Sequence, residues 1–227
     1  MRVAGLDEAG RGPVLGSLVV GCVIYDEDKL HHLEEIGVDD SKKLSPKKRE
    51  SMVSQIKTNA ISTMIKEVTA ENISQSPSKG INLNQLEVIT FAQLLNEIQP
   101  KPDIIYIDAC DTKEERFGEE IGKLLNFKPT QIISKHKGDS LFKIVGAASI
   151  LAKTTRDHII ESFKTQYGEI GSGYPSDPYT KAFLDTYYKD HRTFPPIVRT
   201  WWSTAINIAE KYAITLQKPE KIVKQKK

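Results

Sequence analysis

The chain is poor in cysteine: Cys22 and Cys110 are its two thiols in 227 residues. They make neither a disulfide framework nor a zinc-ligand spacing, so a reducing, cytoplasmic compartment is expected. Long apolar runs are also missing, and none approaches the ~20 residues a membrane helix requires. The opening Met1-Arg2-Val3-Ala4-Gly5-Leu6-Asp7-Glu8 meets two acids before it can build the apolar stretch of a signal peptide. Charge of one sign is lacking too. With 32 Lys and Arg against 30 Asp and Glu, the net charge of +2 does not by itself announce a nucleic-acid partner. There is no internal repeat and no obvious linker. A 39% hydrophobic and 27% charged composition excludes a collagen-like or wholly disordered protein and suits one domain with a small appendage.

What charge asymmetry exists lies at the C-terminus, where Lys218 to Lys227 holds five lysines against one glutamate, with Pro219 breaking any helix. It reads as a flexible basic tail, either a solubilising terminus or a non-specific phosphate contact. Elsewhere the pattern alternates strands and helices. A short strand from Arg2 to Gly5 and a buried strand from Leu18 to Tyr25 open the chain. Ser45-Pro46 reads as an N-cap and first helical residue for a helix to about Asn59. Strand returns from Ile61 to Val68, and Leu83 to Ile98 is helical, with Val88, Phe91, Ala92, Leu95 and Ile98 on one face. Ile104 to Ile107 is a short strand. Phe117, Ile121, Leu124 and Leu125 mark a helix, and Gln131 to Ser134 a further strand. Phe142 to Tyr167 is the longest helix, with small residues Gly146-Ala147-Ala148-Ser149 allowing close packing near its start. Residues 171–178 form a loop, and helices including Trp201-Trp202 follow, that pair expected to anchor them. The sum is an α/β layered domain with a C-terminal helical extension.

The chemistry-bearing pattern is carboxylates at the ends of apolar strands. Asp7 and Glu8 follow Val3-Ala4-Gly5-Leu6, Asp108 follows Ile104-Ile105-Tyr106-Ile107, and Asp139 stands just before the long helix. Ends of strands are where α/β sheets bind ligands. Clustered carboxylates repel unless a cation neutralises them, and an all-oxygen donor set suits Mg²⁺ or Mn²⁺. Taken singly, each acid reads as a cap or a solvated loop residue. Gly10-Arg11-Gly12-Pro13 lets backbone approach a ligand closely with an arginine alongside, or serves as a tight strand connection. Lys42 and Lys43 are a solvated turn or a grip on a phosphate backbone. Tyr174, between Gly173 and Pro175, can stack on a sugar or base. His136 stands near the acids as a proton shuttle or a solvated loop residue. No phosphate-cradling glycine loop exists, which counts against a nucleoside triphosphatase.

Together, Gly5-Leu6-Asp7-Glu8-Ala9-Gly10-Arg11-Gly12-Pro13, Asp40-Ser41-Lys42-Lys43-Leu44, Tyr106-Ile107-Asp108-Ala109, Lys137-Gly138-Asp139, Ala147 to Lys153 with Arg156-Asp157, and Gly171 to Asp177 resemble ribonuclease HII, the type 2 ribonuclease H, in its archaeal-length form. The resemblance implies a ribonuclease-H-like mixed sheet flanked by helices over residues 1–180, then a helical extension with the basic tail over 181–227. It implies a metal-dependent endonuclease that hydrolyses the RNA strand of RNA/DNA hybrids and incises 5′ of ribonucleotides embedded in duplex DNA, in ribonucleotide and RNA-primer removal. Asp7, Glu8, Asp108 and Asp139 would be the catalytic carboxylates and hold Mg²⁺ or Mn²⁺. Gly10, Arg11 and Gly12 would read the ribose 2′-hydroxyl through backbone and guanidinium contacts, Tyr174 would lie on the sugar of the RNA–DNA junction, and Lys42 and Lys43 would hold phosphates. Gly138 departs from the alanine more usual there, and Asp157 is the rival fourth acid, expected instead to cap or pair within its helix. A monomer with no membrane partner is expected. The tail has Gln217 and Gln225 without a following aromatic pair, so it does not support a sliding-clamp partner. A catalytically silent nucleic-acid-binding module is the competing class, and the presence of all four acids argues against it.

Overall fold

A computed structural model describes residues 1–38 and 44–217, with side chains to residue 213. Lys42, Lys43 and the basic tail lie outside the described residues. The elements are β1 (Arg2–Ala9), β2 (Leu18–Asp26), α1 (His31–Glu35), α2 (Pro46–Asn59), β3 (Ser62–Val68), α3 (Ala70–Gln75), α4 (Leu83–Glu97), β4 (Ile104–Asp108), α5 (Glu114–Lys123), β5 (Gln131–Lys135), α6 (Gly138–Leu141), α7 (Lys143–Tyr167), α8 (Pro178–His191) and α9 (Ser203–Gln217). Ser45 caps α2 as its sequence suggests, accepting from the Lys48 amide at 3.2 Å. Asn82 and Gln85 form a reciprocal capping box at the start of α4.

The five strands form one sheet in the order β3-β2-β1-β4-β5. The opening strands pair antiparallel, with Asp7 opposite Gly21 and Glu8 opposite Val20, whereas β4 lies parallel to both β1 and β5. This is the mixed sheet of a ribonuclease-H-like fold. Side chains alternate across a strand, so Ala4 and Leu6 join the core beneath α4 and α5, while Val3 joins the one beneath α2 and α7. Glycine at positions 5 and 21 lets α7 settle onto β1 and β2. A Cβ on Gly5 would stand 2.2 Å from the Ile144 carbonyl oxygen, and one on Gly21 would stand 2.6 Å from that of Ala148. The close approach is thus made from the sheet side as well as by the small residues of α7.

Two boundaries and two short helices differ from the expectation. The first strand does not stop at Gly5: ladder pairing carries it through Asp7 and Glu8 to Ala9, so both acids sit within it. Leu124 lies just past α5 and is 47% exposed, because the helix has already ended at Lys123. The short helices α1 and α3 carry too few residues for periodicity to reveal them. The C-terminal extension shares a core with the rest of the chain, in which Val14 and Leu15 pack with Ile160, Ile170, Leu184, Ile197 and Val198.

Candidate active site

Because Asp7 and Glu8 are consecutive strand residues, they face opposite sides of the sheet. Asp7 points toward α7 and meets Asp108, the last residue of the adjacent parallel strand, and Asp139 from α6. One carboxylate oxygen of each lies within 4.8 Å of the others. Asp7 and Asp139 are both 3% exposed. Glu8 points the other way, where its carboxylate lies within 4.8 Å of those of Glu87 and of the Cys110 thiol. The strand register, the parallel β1–β4 pairing and the turn into α6 therefore bring Asp7, Asp108 and Asp139 to one point. Asp108 is held in place by the Gly138 amide, which donates to its Oδ1 at 2.7 Å. Gly138 thereby ties the α6 turn directly to the β4 end. A Cβ there would stand 3.0 Å from the Asp108 Cα, so the glycine fits a tight contact and does not leave a loose loop.

Asp157 is not part of this group. It lies farther along α7, ion-paired with Lys153 and with Arg49 at 2.8 Å. Burial works to raise its carboxyl, but the two cations prevail and hold it below the usual range.

The electrostatics of the cluster follow from burial. Desolvation first, then the neighbouring Glu8 and Asp108 charges, push the Asp7 carboxyl well above its ordinary value, with a Ser149 hydrogen bond opposing. Glu8 is raised by burial and by Asp108, and its Oε2 has no hydrogen-bond partner. Buried carboxylates that repel one another, carry an unpartnered oxygen and offer only oxygen donors fit a hard divalent cation. The residues present are therefore chemically suited to Mg²⁺ or Mn²⁺.

A cleft of about 210 Å³ opens over Asp7, Glu8 and Asp108, with Gly10, Arg11, Gly12, Lys153 and Tyr174 on its walls. Gly10 takes a positive φ of 89°, turning the chain out of β1. The carbonyls of this turn are occupied from behind. Arg199, fully buried, donates to Gly16 O at 2.9 Å, Arg11 O at 2.9 Å and Gly10 O at 2.5 Å, and the Trp202 indole donates to Gly12 O at 3.1 Å. The Arg11 guanidinium is engaged as well, ion-paired with Glu87 and donating to Asn84 Oδ1 at 2.5 Å. The guanidinium is thus held by α4. Tyr174 is 40% exposed, and the Arg156 guanidinium stands 5.2 Å from its ring centre. A second cleft of about 540 Å³ shares Lys153 and Tyr174 with the first and adds Lys47, Arg49, Arg156 and Lys164. His136 lies outside the first cleft and contacts Asp111 O at 2.7 Å. Trp201 does anchor the extension, donating to Ile73 O at 2.9 Å.

Several residues at the site carry no distinguishing local signal. Arg199 acts on Arg11 across 188 residues of sequence, and only the packed extension brings them together. Glu87 and Asn84 sit on a helix whose apolar periodicity draws attention to its other positions. Ser149 and Lys153 were legible only as parts of a motif.

Comparison with known proteins bears on the same residues. A family model described as Ribonuclease HII matches residues 4–205. The ribonuclease HII of Thermococcus kodakarensis is 52% identical over 211 residues, 93% of this chain and 91% of that protein. That of Pyrococcus furiosus is 48% identical, covering 96% of this chain and 98% of its own. Among solved structures, ribonuclease H2 from Pyrococcus horikoshii OT3 superposes with a TM-score of 0.88 at 45% identity, over 94% of this chain and 99% of that one. Ribonuclease HII from Archaeoglobus fulgidus, solved as a complex with PCNA, gives a TM-score of 0.80 at 35% identity, over 91% and 96%.

Proposed function

This chain belongs to the ribonuclease HII family of metal-dependent hydrolytic nucleases that act on RNA/DNA, and on that premise we propose that it hydrolyses the RNA strand of hybrids and incises 5′ of single ribonucleotides in duplex DNA. The observation that carries the reading is the convergence of Asp7, Asp108 and Asp139 within 4.8 Å, with Asp7 and Asp108 lining the same cleft as the glycine-flanked turn. Asp7, Asp108 and Asp139 would hold two Mg²⁺ or Mn²⁺ ions together with Glu8, which lines the same cleft from the other face of β1. When bound, such ions supply Lewis-acid activation of water and stabilisation of the leaving oxygen. The chain's own residues do the rest. Ser149 orients Asp7, and the Gly138 amide orients Asp108.

With the carbonyls of Gly10, Arg11 and Gly12 engaged by Arg199 and Trp202, the turn presents its backbone from a fixed position, and this backbone reads the 2′-hydroxyl. Tyr174 lies against the sugar, its ring backed by Arg156. Of the second cleft's cations, the exposed Lys47 would meet a phosphate backbone, while Arg49 and Lys153 are paired with Asp157. Lys42 and Lys43 extend that role in the proposal. Residues 1–180 carry the chemistry and residues 181–227 support it. The protein acts as a cytoplasmic monomer in ribonucleotide and RNA-primer removal. Among the described residues no helix is long and apolar enough to cross a membrane. One solved relative is a PCNA complex; since Gln217 and Gln225 lack a following aromatic pair, a clamp is not part of this proposal.

The test is a DNA duplex with one embedded ribonucleotide, 5′-labelled, incubated with Mg²⁺, Mn²⁺ or a chelator. Metal-dependent cleavage on the 5′ side of the ribonucleotide is expected. Tyr174→Phe should lower turnover on this substrate about tenfold, since a sugar left without its hydroxyl partner loses ~1–3 kcal/mol, with the melting temperature unchanged. Cleavage of hybrids alone would remove the sugar-reading roles, and binding without cleavage under any metal would return the chain to the silent module.

A further inference from the structure

Glu87, on α4, has none of its surface exposed. A carboxylate in that position is unfavourable unless a cation stands beside it. The cation is Arg11, whose Nη1 pairs with Glu87 Oε2 while its Nη2 donates to Asn84 Oδ1, one helical turn earlier, at 2.5 Å. The Cys110 thiol donates to the same Oε2 at 3.2 Å. The turn after β1, through Arg11, and the segment after β4, through Cys110, thus meet at Glu87 on α4. The Arg11 side chain retains 33% exposure, so it has room to move if released. Another carboxylate close by is Glu8, whose oxygen shares a 4.8 Å neighbourhood with Glu87 and Cys110 and which feels the Arg11 charge.

We infer that Glu87 is a positioning residue, which holds the Arg11 guanidinium on α4, keeps it off Glu8, and thereby fixes the sugar-reading turn from the face opposite Arg199. This rests on the proposed reading of the turn and of Glu8. Arg11 is then a strut: its side chain is anchored away from the substrate, and its backbone faces the sugar. The choice of a carboxylate at position 87 follows, because Asn84 alone supplies a hydrogen bond but no charge to compete with Glu8 for a guanidinium.

The experiment compares the wild type with Glu87→Gln, Glu87→Asp, Arg11→Gln and the double variant Glu87→Gln/Arg11→Gln. Three quantities are measured: kcat/KM on the single-ribonucleotide duplex, the Mg²⁺ half-saturation of the free protein by isothermal titration, and the melting temperature. Glu87→Gln should lose about tenfold to hundredfold in kcat/KM, the range for a residue that orients a ligand from behind. It should weaken Mg²⁺ binding several-fold as Arg11 moves onto Glu8. In the Arg11→Gln background the same substitution should change Mg²⁺ binding no further, since there is no guanidinium left to release. Glu87→Asp should recover part of both losses. Unchanged Mg²⁺ binding in Glu87→Gln, additive effects in the double variant, or a rate loss explained wholly by a lowered melting temperature would each overturn the inference. A wild type that binds Mg²⁺ yet cleaves neither that duplex nor an RNA/DNA hybrid would count against the nuclease reading, while the Mg²⁺ arm would still judge Glu87.

Discussion

At the scale of single residues, consecutive placement on a strand decides the division of labour between Asp7 and Glu8. Alternation sends one to the α7 face with Asp108 and Asp139, and the other to the α4 face with Glu87. Asp108 is the residue on which this geometry is most sharply tested. Its Oδ1 accepts from the Gly138 amide at 2.7 Å, and the amide oxygen of an asparagine can accept the same bond. Asp108→Asn should therefore keep the fold and hybrid binding while losing a negative charge from the cluster, and metal-dependent cleavage should fall by at least about a hundredfold. A gel-based cleavage assay alongside a binding isotherm in chelator checks both halves. Cleavage near the wild-type rate would take Asp108 out of the metal-holding set. Tyr174→Phe tests a different contact, the hydroxyl alone, because the ring and its Arg156 neighbour remain.

At the scale of elements, the approach of α7 to β1 and β2 is what sets Ser149 beside Asp7. Gly21 pairs with Asp7 across the ladder, and a Cβ at position 21 would meet the Ala148 carbonyl at 2.6 Å. Backbone cannot yield there as a flexible side chain would, so Gly21→Ala forces the helix outward. The expected cost is ~1–3 kcal/mol, a fall of roughly 2–10 °C in melting temperature for a chain of this size. Activity should fall further than stability explains, because Ser149 moves with the helix; an unshifted calorimetric melt would show that the helix has slack.

Much of this layer was readable in advance. The apolar runs of β2 and β4, the Ser45-Pro46 start of α2 and the long α7 all carry local signals of period or cap, and the acids after apolar runs pointed to the cleft. What could not be read is what depends on pairing. The extension of β1 through two acids follows from its ladder with β2, since Asp and Glu carry no strand preference of their own. Likewise the engagement of the Arg11 side chain by α4 depends on where that helix lands, which no spacing encodes.

At the scale of the whole molecule, the C-terminal extension is joined to the turn after β1 by both core and hydrogen bonds. Val14 and Leu15, just past the turn, are fully buried against Ile170, Leu184, Ile197 and Val198. Arg199 adds donors to three carbonyls of the same segment, and the Trp202 indole a fourth. Residues on either side of position 180 therefore share one core. Replacing Arg199 by methionine keeps much of the volume but strands buried carbonyls, at ~1–3 kcal/mol for each one left unpaired. Arg199→Met should thus melt well below the wild type, and its discrimination between a ribonucleotide and a deoxyribonucleotide in duplex DNA should fall, because the turn loses the partners that fix its backbone. A chain ending at residue 180 should fare worse, since two apolar side chains beside the site would lose their cover along with the donors. Circular dichroism melts of that fragment, with hydrogen exchange at residues 10–16, give the decisive contrast. Without the extension the fragment should show no cooperative transition and fast exchange in the turn. A fragment that melts cooperatively with a protected turn would mean that residues 2–180 hold the reading surface unaided, and that the extension serves some other purpose than bracing it.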